Sequence, residues 1–441
     1  MKTSATLAGV IVSLVCAQAF ADTSSQATAD ESLLGEYVVT GTVQEHIPKI
    51  AILPSLAPDM EDVTLRGIVR RDVELSGLFD VIPDSKAPPG LYGFDDAVNV
   101  DEWRKLGAEA IVKVAARKHD SGKIQVFGLA YFPAVGKDPV YEKKLLVDSA
   151  DMRVTSHRIT DALLGALTGR PGGFASHFVF SGKWGKNRRI FSMDSDGHDL
   201  KPLTDPALTA IAPVWGPNET IFYTHSKNYA PFSLVSWDGK THSPIKTAFK
   251  TSIYSVAFNK DGTQMAIAVA NRTGSAVYVG NPDGSGMKKV SKTPIATHPA
   301  FSPSGKLAWI GGDPNKRGGQ RVYVDGKAVS PSGFTAAAPT FCDTEDGIRL
   351  VYSVSVYGDK SDIVMSDEKG QGIARLTRNM GTNKYPACSP DGRLIAFFSD
   401  RQKKPGIYFL SLKRWRTIKL NAQFGESLRW EALPPAKGAA P

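Results

Sequence analysis

Along most of the chain, apolar residues come in short runs bounded by Pro, Asp and Gly rather than at helical spacing. The stretch YPACSPDGRLIAFFSD at 385–400 shows the unit: a strand, a Ser-Pro-Asp-Gly turn and a second, buried strand. Pro presets φ for the turn, and Gly supplies the positive φ that other residues avoid. A lone hairpin is marginal in water, but this one is repeated. HPAFSPSGKLAWI at 298–310 and APVWGPNETIFY at 212–223 keep the pattern, and SVAFNKDGTQMAIAV and APTFCDTEDGIRLVYS carry looser copies. Trp215, Phe258, Phe301, Phe341, Cys388 and Trp430 fall in one register. Their spacing is about 40–47 residues, with four short strands per unit, the signature of a β-propeller.

The first unit, near 178–204, has outer strands but no inner strand before them, whereas SLRWEAL at 427–433 is an inner strand with nothing after it. Together they make one blade, so the spacing predicts a six-bladed ring over 174–433 closed by the C-terminal strand. Closure removes an exposed sheet edge.

Before residue 174 the pattern changes. Residues 49–54 read as a buried strand, 63–75 as a helix, and SGLFDVIP at 76–83 as a turn into a second strand. Asn99 opens a short helix with Glu102 as its capping-box partner, and Gly107 ends it. Two strands follow, AEAIVKVAARK and KIQVFGLAYF, then an amphipathic helix over 151–168 with Ile159, Leu163, Ala166 and Leu167 inward. The fold class is therefore mainly β: a small α/β domain at 37–169, a Gly/Pro linker at 169–173, then the propeller. Residues 434–441 form a tail.

Residues 1–21 read as a cleaved signal peptide, with Lys2, an apolar core at 7–17 and an A-x-A site that places cleavage between Ala21 and Asp22. That apolar run is too short to span a bilayer, and no later stretch is a transmembrane candidate. Residues 22–36 are polar and read as flexible. An exported chain permits a disulfide between the two cysteines beyond the leader, Cys342 and Cys388. Both fall on inner strands of consecutive blades, one register apart, and bridging needs Cα atoms within about 7 Å. That leaves the bridge open.

The net charge is +9, with basic pairs at Arg70-Arg71, Lys143-Lys144, Arg188-Arg189 and Lys413-Arg414. These read as a solvated basic face, or as attraction to an acidic partner. Nucleic acid is not expected, because no aromatic-basic binding motif is present. Chemistry is equally sparse. The chain lacks H-E-x-x-H, G-x-S-x-G and a Walker loop. Its eight histidines, at 46, 119, 157, 177, 198, 225, 242 and 298, are scattered. His157 reads as a packing or capping residue. The Asp-Gly turns at 196, 283 and 391 lack ligand-spaced carboxylates and read as turns. No cofactor or metal is expected. A peptidase of the propeller class would need a hydrolase domain for which this chain leaves no room, and a propeller lyase would need a convergent polar cluster.

SGLFDVIP, WRKLGAEAIVKV, the junction HRITDALLGALTGRPGGF at 157–174 and the repeats together resemble the TolB family, periplasmic propeller proteins of the Tol–Pal cell-envelope system. Several blades depart from the pattern by losing the Asp-Gly turn or the aromatic. The resemblance implies a monomeric periplasmic scaffold without catalysis or membrane insertion. It implies binding of a Pal-like lipoprotein at the channel mouth and of a TolA-like inner-membrane protein by the N-terminal segment, here Tyr37, Val38, Val39 and Thr40. Residues just before each inner proline should line one mouth: Tyr254, Thr297, His298, Lys384 and Tyr385.

Overall fold

The structure is a computed structural model that describes residues 31–34, 46–54, 59–90, 92–313, 315, 319–357 and 360–431. The leader with Ala21 and Asp22, the segment Tyr37–Thr40 and the tail at 434–441 lie outside the described residues.

The α/β domain is a five-stranded sheet in the order β2-β1-β3-β4-β5, built from β1 (Lys49–Ile52), β2 (Asp80–Val81), β3 (Ala110–Lys118), β4 (Ile124–Tyr131) and β5 (Tyr141–Val147). β1 runs parallel to both β2 and β3, and the rest is antiparallel. Helices α1 (Met60–Ser76) and α3 (Met152–Thr168) pack on one face, and α2 (Val100–Lys105) puts Val100 and Trp103 into the cluster on the other. The Asn99 side chain caps α2 by accepting from Glu102 N. On α3, Ile159 and Leu163 are buried as expected, whereas Ala166 and Leu167 are only half-buried. β5 was not foreseen. Its sequence, YEKKLLV, is charged and mostly exposed, because an edge strand buries little. No helix of the described residues is long and apolar enough to cross a membrane.

Six four-stranded antiparallel sheets follow. The inner strand of blade 1 is Gly425–Trp430, and those of blades 2 to 6 are Thr209–Trp215, Ile253–Phe258, Ile295–Phe301, Thr335–Thr344 and Asn383–Cys388. Blade 1 is completed from the other end of the ring, where Gly425–Trp430 pairs antiparallel with His177–Trp184. Trp430 packs tilted against Phe178 and stacks on Phe409 at ring-centroid distances of 4.4 and 5.1 Å, and its Nε1 donates to Ser176 Oγ at 2.8 Å. Cys342 and Cys388 form a disulfide between blades 5 and 6, with Cα atoms 5.4 Å apart. One correction concerns the segment read as flexible. At Glu31–Leu34 it is a 3₁₀ turn whose Leu34 is fully buried among Ala308, Ile310 and Tyr352 of blades 4 and 5, since a leucine gains more from that cleft than from water.

The α/β domain and the ring share one apolar core. It runs from Val69, Ile159 and Leu163 through Phe174 into Phe178, Phe398, Phe409 and Trp430. Two residues of the basic pairs pin the contact, whereas Lys143, Lys144 and Lys413 stay exposed. Arg71 donates to the carbonyls of Asp196 and Leu420, and Arg414 donates to the Gly77 carbonyl and pairs with Asp80. Gly77 ends α1 at φ 68, and a Cβ there would lie 2.8 Å from Ser411 Oγ, so glycine serves both the turn and the close approach.

Behind these lies a polar clasp. Arg153 of α3 pairs with Asp194 and Asp196 of blade 1. His157 Nδ1, one turn along, bonds Asp72 of α1 at 2.8 Å, and His177 Nδ1 bonds Glu431 at 2.7 Å. His157 is thus neither a cap nor mere packing. It is a buried ionic partner on a helix face that the pattern alone shows only as inward. Asp72, His157 and Asp196 bring potential ligand atoms within 4.8 Å of one another, but Arg153 already supplies the cation that Asp196 needs. Burial opposes charge on His157, yet the hydrogen bond and charge of Asp72 outweigh it and raise its pKa above the ordinary value. Glu431 raises that of His177. Burial pushes Asp72 up as well.

Two predictions follow from this packing. Trp430→Ala removes the aromatic that joins the last strand to the first blade and should cost about 3–5 kcal/mol, measured by urea unfolding; an unchanged midpoint would contradict the closure. The second concerns pH. A histidine raised in the folded state stabilises fully below its unfolded pKa and loses that contribution as pH climbs through its folded value, and a raised carboxylate has the same sign. The stability advantage of the parent over D72N/H157Q should therefore be greatest near about pH 6 and shrink toward about pH 9. An advantage that stays flat or grows over that range would contradict the charged clasp.

Candidate partner-binding site

In an antiparallel blade, the end of the first strand, the start of the second, the end of the third and the start of the fourth lie on one side of the ring. The ion pairs and close approaches to the α/β domain described above fall on that side: Asp194 and Asp196 in blade 1, and Ser411 and Arg414 in blade 6. The linker joins the same face, where Arg170 donates to the Asp343 carbonyl at the end of an inner strand. The opposite mouth, where the inner strands begin, is the one the α/β domain leaves open.

Each inner strand is the innermost edge of its sheet, which is where a proline is tolerated. Proline has no N–H to give the ladder, and the pairing slips beside it. The register shifts between Thr297 and Ala300, between Ala337 and Thr340, and between Lys384 and Ala387. At each slip the residue before proline takes the left-handed conformation: Ala212 at φ 52, His298 at 51, Ala338 at 49 and Tyr385 at 55. Blade 1 repeats this at Ser427, φ 55, with Leu428 in proline's place. In blade 3 Val256 takes that place, and the slip falls between Ile253 and Ser255. Left-handed backbone is uncommon away from glycine, and strained sites of this kind cost about 1–3 kcal/mol each. Bulges re-aim side chains, and here they do so at one level of the channel.

The five residues read from the sequence all lie on inner strands and all are half-buried: Tyr254 in blade 3, Thr297 and His298 in blade 4, Lys384 and Tyr385 in blade 6. His298 Nδ1 lies 3.1 Å from Thr297 Oγ1, and its backbone N–H donates to Ser255 Oγ of blade 3. Burial, with the charge of Arg429, pushes the pKa of the imidazole down to about 4. His298 is therefore neutral at physiological pH. Arg429 is the residue that sequence reasoning missed. It sits in blade 1, directly opposite blade 4 in the ring, so its effect on His298 acts across the axis. Burial lowers its own pKa to about 10, against the raising influence of Tyr385. The guanidinium thus stays charged and lies near groups from two other blades. The signal was present in SLRWEAL, where an arginine fills a slot that is small or apolar in every other blade.

Comparison with known proteins follows this geometry closely. Residues 36–128 match the family model described as the TolB amino-terminal domain. A Tol-Pal system protein TolB of Anaeromyxobacter dehalogenans (strain 2CP-C) is 25% identical over 231 residues, 52% of each chain. Another from Dinoroseobacter shibae is 28% identical over 183 residues, 40% of each. The chain thus spans about half the length of the curated relatives it matches, or less. The crystal structure of TolB from Acinetobacter baumannii superposes with a TM-score of 0.71 at 20% identity, covering 88% of this chain and 97% of that one, which shows a common fold. The resemblance read from the junction and the repeats is therefore found again in sequence and in architecture: residues 36–128 are similar to the TolB amino-terminal domain, and the chain as a whole shares the fold of a TolB crystal structure, a small α/β domain joined to a six-bladed propeller.

Proposed function

We propose that this chain is a non-catalytic periplasmic scaffold of the Tol–Pal system, exported by the leader at 1–21 and acting as a monomer. In this reading the open mouth of the channel binds a Pal-like peptidoglycan-associated lipoprotein. The segment around Tyr37, Val38, Val39 and Thr40 engages a TolA-like inner-membrane protein by strand addition. One molecule then links the two membranes, which serves outer-membrane integrity and cell division. Neither a cofactor nor nucleic acid has a part in it.

The observation that supports this most is the placing of Tyr254, His298 and Tyr385 on inner strands that open away from the α/β domain. Aromatic residues around a half-desolvated centre make a binding hot spot, whereas catalysis needs a nucleophile and base held together. Tyr385 and His298 are also held by bulges in left-handed backbone, so their directions are set before a partner arrives.

Capture of the lipoprotein's soluble domain tests the reading. The double variant H298A/Y385A places alanine where blades 2 and 5 already carry it at the same backbone conformation, Ala212 and Ala338, so folding should be unimpaired. Capture should weaken by at least about tenfold, or about 1.4 kcal/mol, with the melting temperature nearly unchanged. Equal capture by variant and parent at one salt concentration would move the binding site elsewhere.

A further inference from the structure

The inner strands differ most from one another at the position after the proline slot. Blades 2 to 6 place Val214, Ala257, Ala300, Thr340 and Ala387 there, and blade 1 places Arg429. Nothing in the repeat requires a charge at this depth. Leu428 and Trp430, on either side, are buried in the core shared with blade 6, so Arg429 emerges on the other face of its strand. Its side chain is half-buried, and Nη1 donates to the carbonyl of Leu428 at 3.0 Å. Among the described residues no carboxylate pairs with it. A buried or half-buried charge is ordinarily paired, because taking it out of water costs several kcal/mol unless an opposite charge or acceptor set replaces the lost hydration.

The other charges of the six inner strands do not fill that need. They are Asp343, Lys384 and Glu426. Glu426 is held by Arg188 at 2.9 Å, and Asp343 lies at the far end of its strand, on the face toward the α/β domain. Lys384 is itself cationic. The groups coupled to Arg429 electrostatically are His298, across the axis, and Tyr385, on the adjoining blade. Apart from those two acids, the charges of the inner strands are therefore positive, and one of them is a guanidinium whose fork suits two oxygens in a plane.

We propose that Arg429 anchors a carboxylate-binding site on the channel axis, which receives one aspartate or glutamate side chain of the protein partner. His298 and Tyr385 flank the site as neutral groups that position the carboxylate. The site rests on the reading of the open mouth as the partner surface, and it adds the chemistry of what enters. A carboxylate that reaches Arg429 exchanges its water for a charge-assisted pair in a desolvated setting, where such a pair counts for more than at the rim.

The test uses the whole protein and two variants. R429A puts into blade 1 the residue that blades 3, 4 and 6 already carry, and R429K keeps the charge without the fork. The probes are acetyl-Glu-Glu-Glu-amide, acetyl-Gln-Gln-Gln-amide, sodium sulfate and the lipoprotein's soluble domain, with binding followed by NMR or calorimetry at one ionic strength. The Glu peptide should bind the parent at least about tenfold more tightly than the Gln peptide. R429A should abolish that preference and R429K should restore only part of it. The lipoprotein domain should lose at least about tenfold in affinity for R429A. Glu and Gln peptides bound alike, or sulfate bound as tightly as the Glu peptide, would overturn a site made for a carboxylate side chain. If R429A captures the lipoprotein like the parent while H298A/Y385A does not, the mouth remains the partner surface and the carboxylate site falls. If the Glu preference depends on Arg429 but no variant affects lipoprotein capture, the carboxylate site stands and the lipoprotein reading falls.

Discussion

The ladder between Gly425–Trp430 and His177–Trp184 is the constraint on which the rest depends. It brings together residues about as far apart in the propeller sequence as the fold allows, and such a closure costs entropy before any contact repays it. The repayment is local and dense. Trp430 enters the core beside Phe178 and Phe409, and Glu431, one residue on, receives both the backbone N–H and the ring of His177. The same short strand carries Arg429 to the channel. Closure, the bond between Glu431 and His177 and the placing of Arg429 are thus three consequences of one strand pairing.

The ring itself is nearly periodic, and its chemistry sits where the period fails. Prolines on inner edges force bulges, and the bulges hold the preceding residue in a left-handed conformation. In blades 2 and 5 that residue is alanine and the strain goes unused. In blades 4 and 6 it is His298 and Tyr385. A scaffold that needs only to stand would have no reason to place bulky residues there, so the departures from the repeat are where function is best sought. The polar clasp follows the same logic at the domain junction, since the Asp-Gly turn of blade 1 has its aspartate drawn into a salt bridge with the α/β domain, Asp196 to Arg153.

How much of this was legible depends on the distance over which each signal acts. The propeller is written locally and six times over, in turns and in the spacing of Trp215 to Trp430, so both the blade count and the closing strand could be read. The helices of the α/β domain were legible from caps and periodicity, whereas β5 was hidden because YEKKLLV on an edge has no buried face to impose alternation. Pairings across the fold leave no local trace. Asp72 and His157 are 85 residues apart and meet only because α1 packs on α3. Leu34 looked like part of the flexible polar segment at 22–36 until the cleft between blades 4 and 5 gave it a place. Arg429 stood in plain view, but singling it out needed the register of all six inner strands and the finding that, among the described residues, no carboxylate pairs with it.

The central claim is that the closed ring presents its inner strands, at the mouth turned away from the α/β domain, to a protein partner. Hydrogen–deuterium exchange with and without the soluble domain of the lipoprotein measures this directly. The account predicts added protection in residues 253–255, 297–299, 384–387 and 427–429, with the outer strands of every blade unchanged. Protection confined to outer strands or to the sheet of the α/β domain, with these four stretches unaffected, would contradict it.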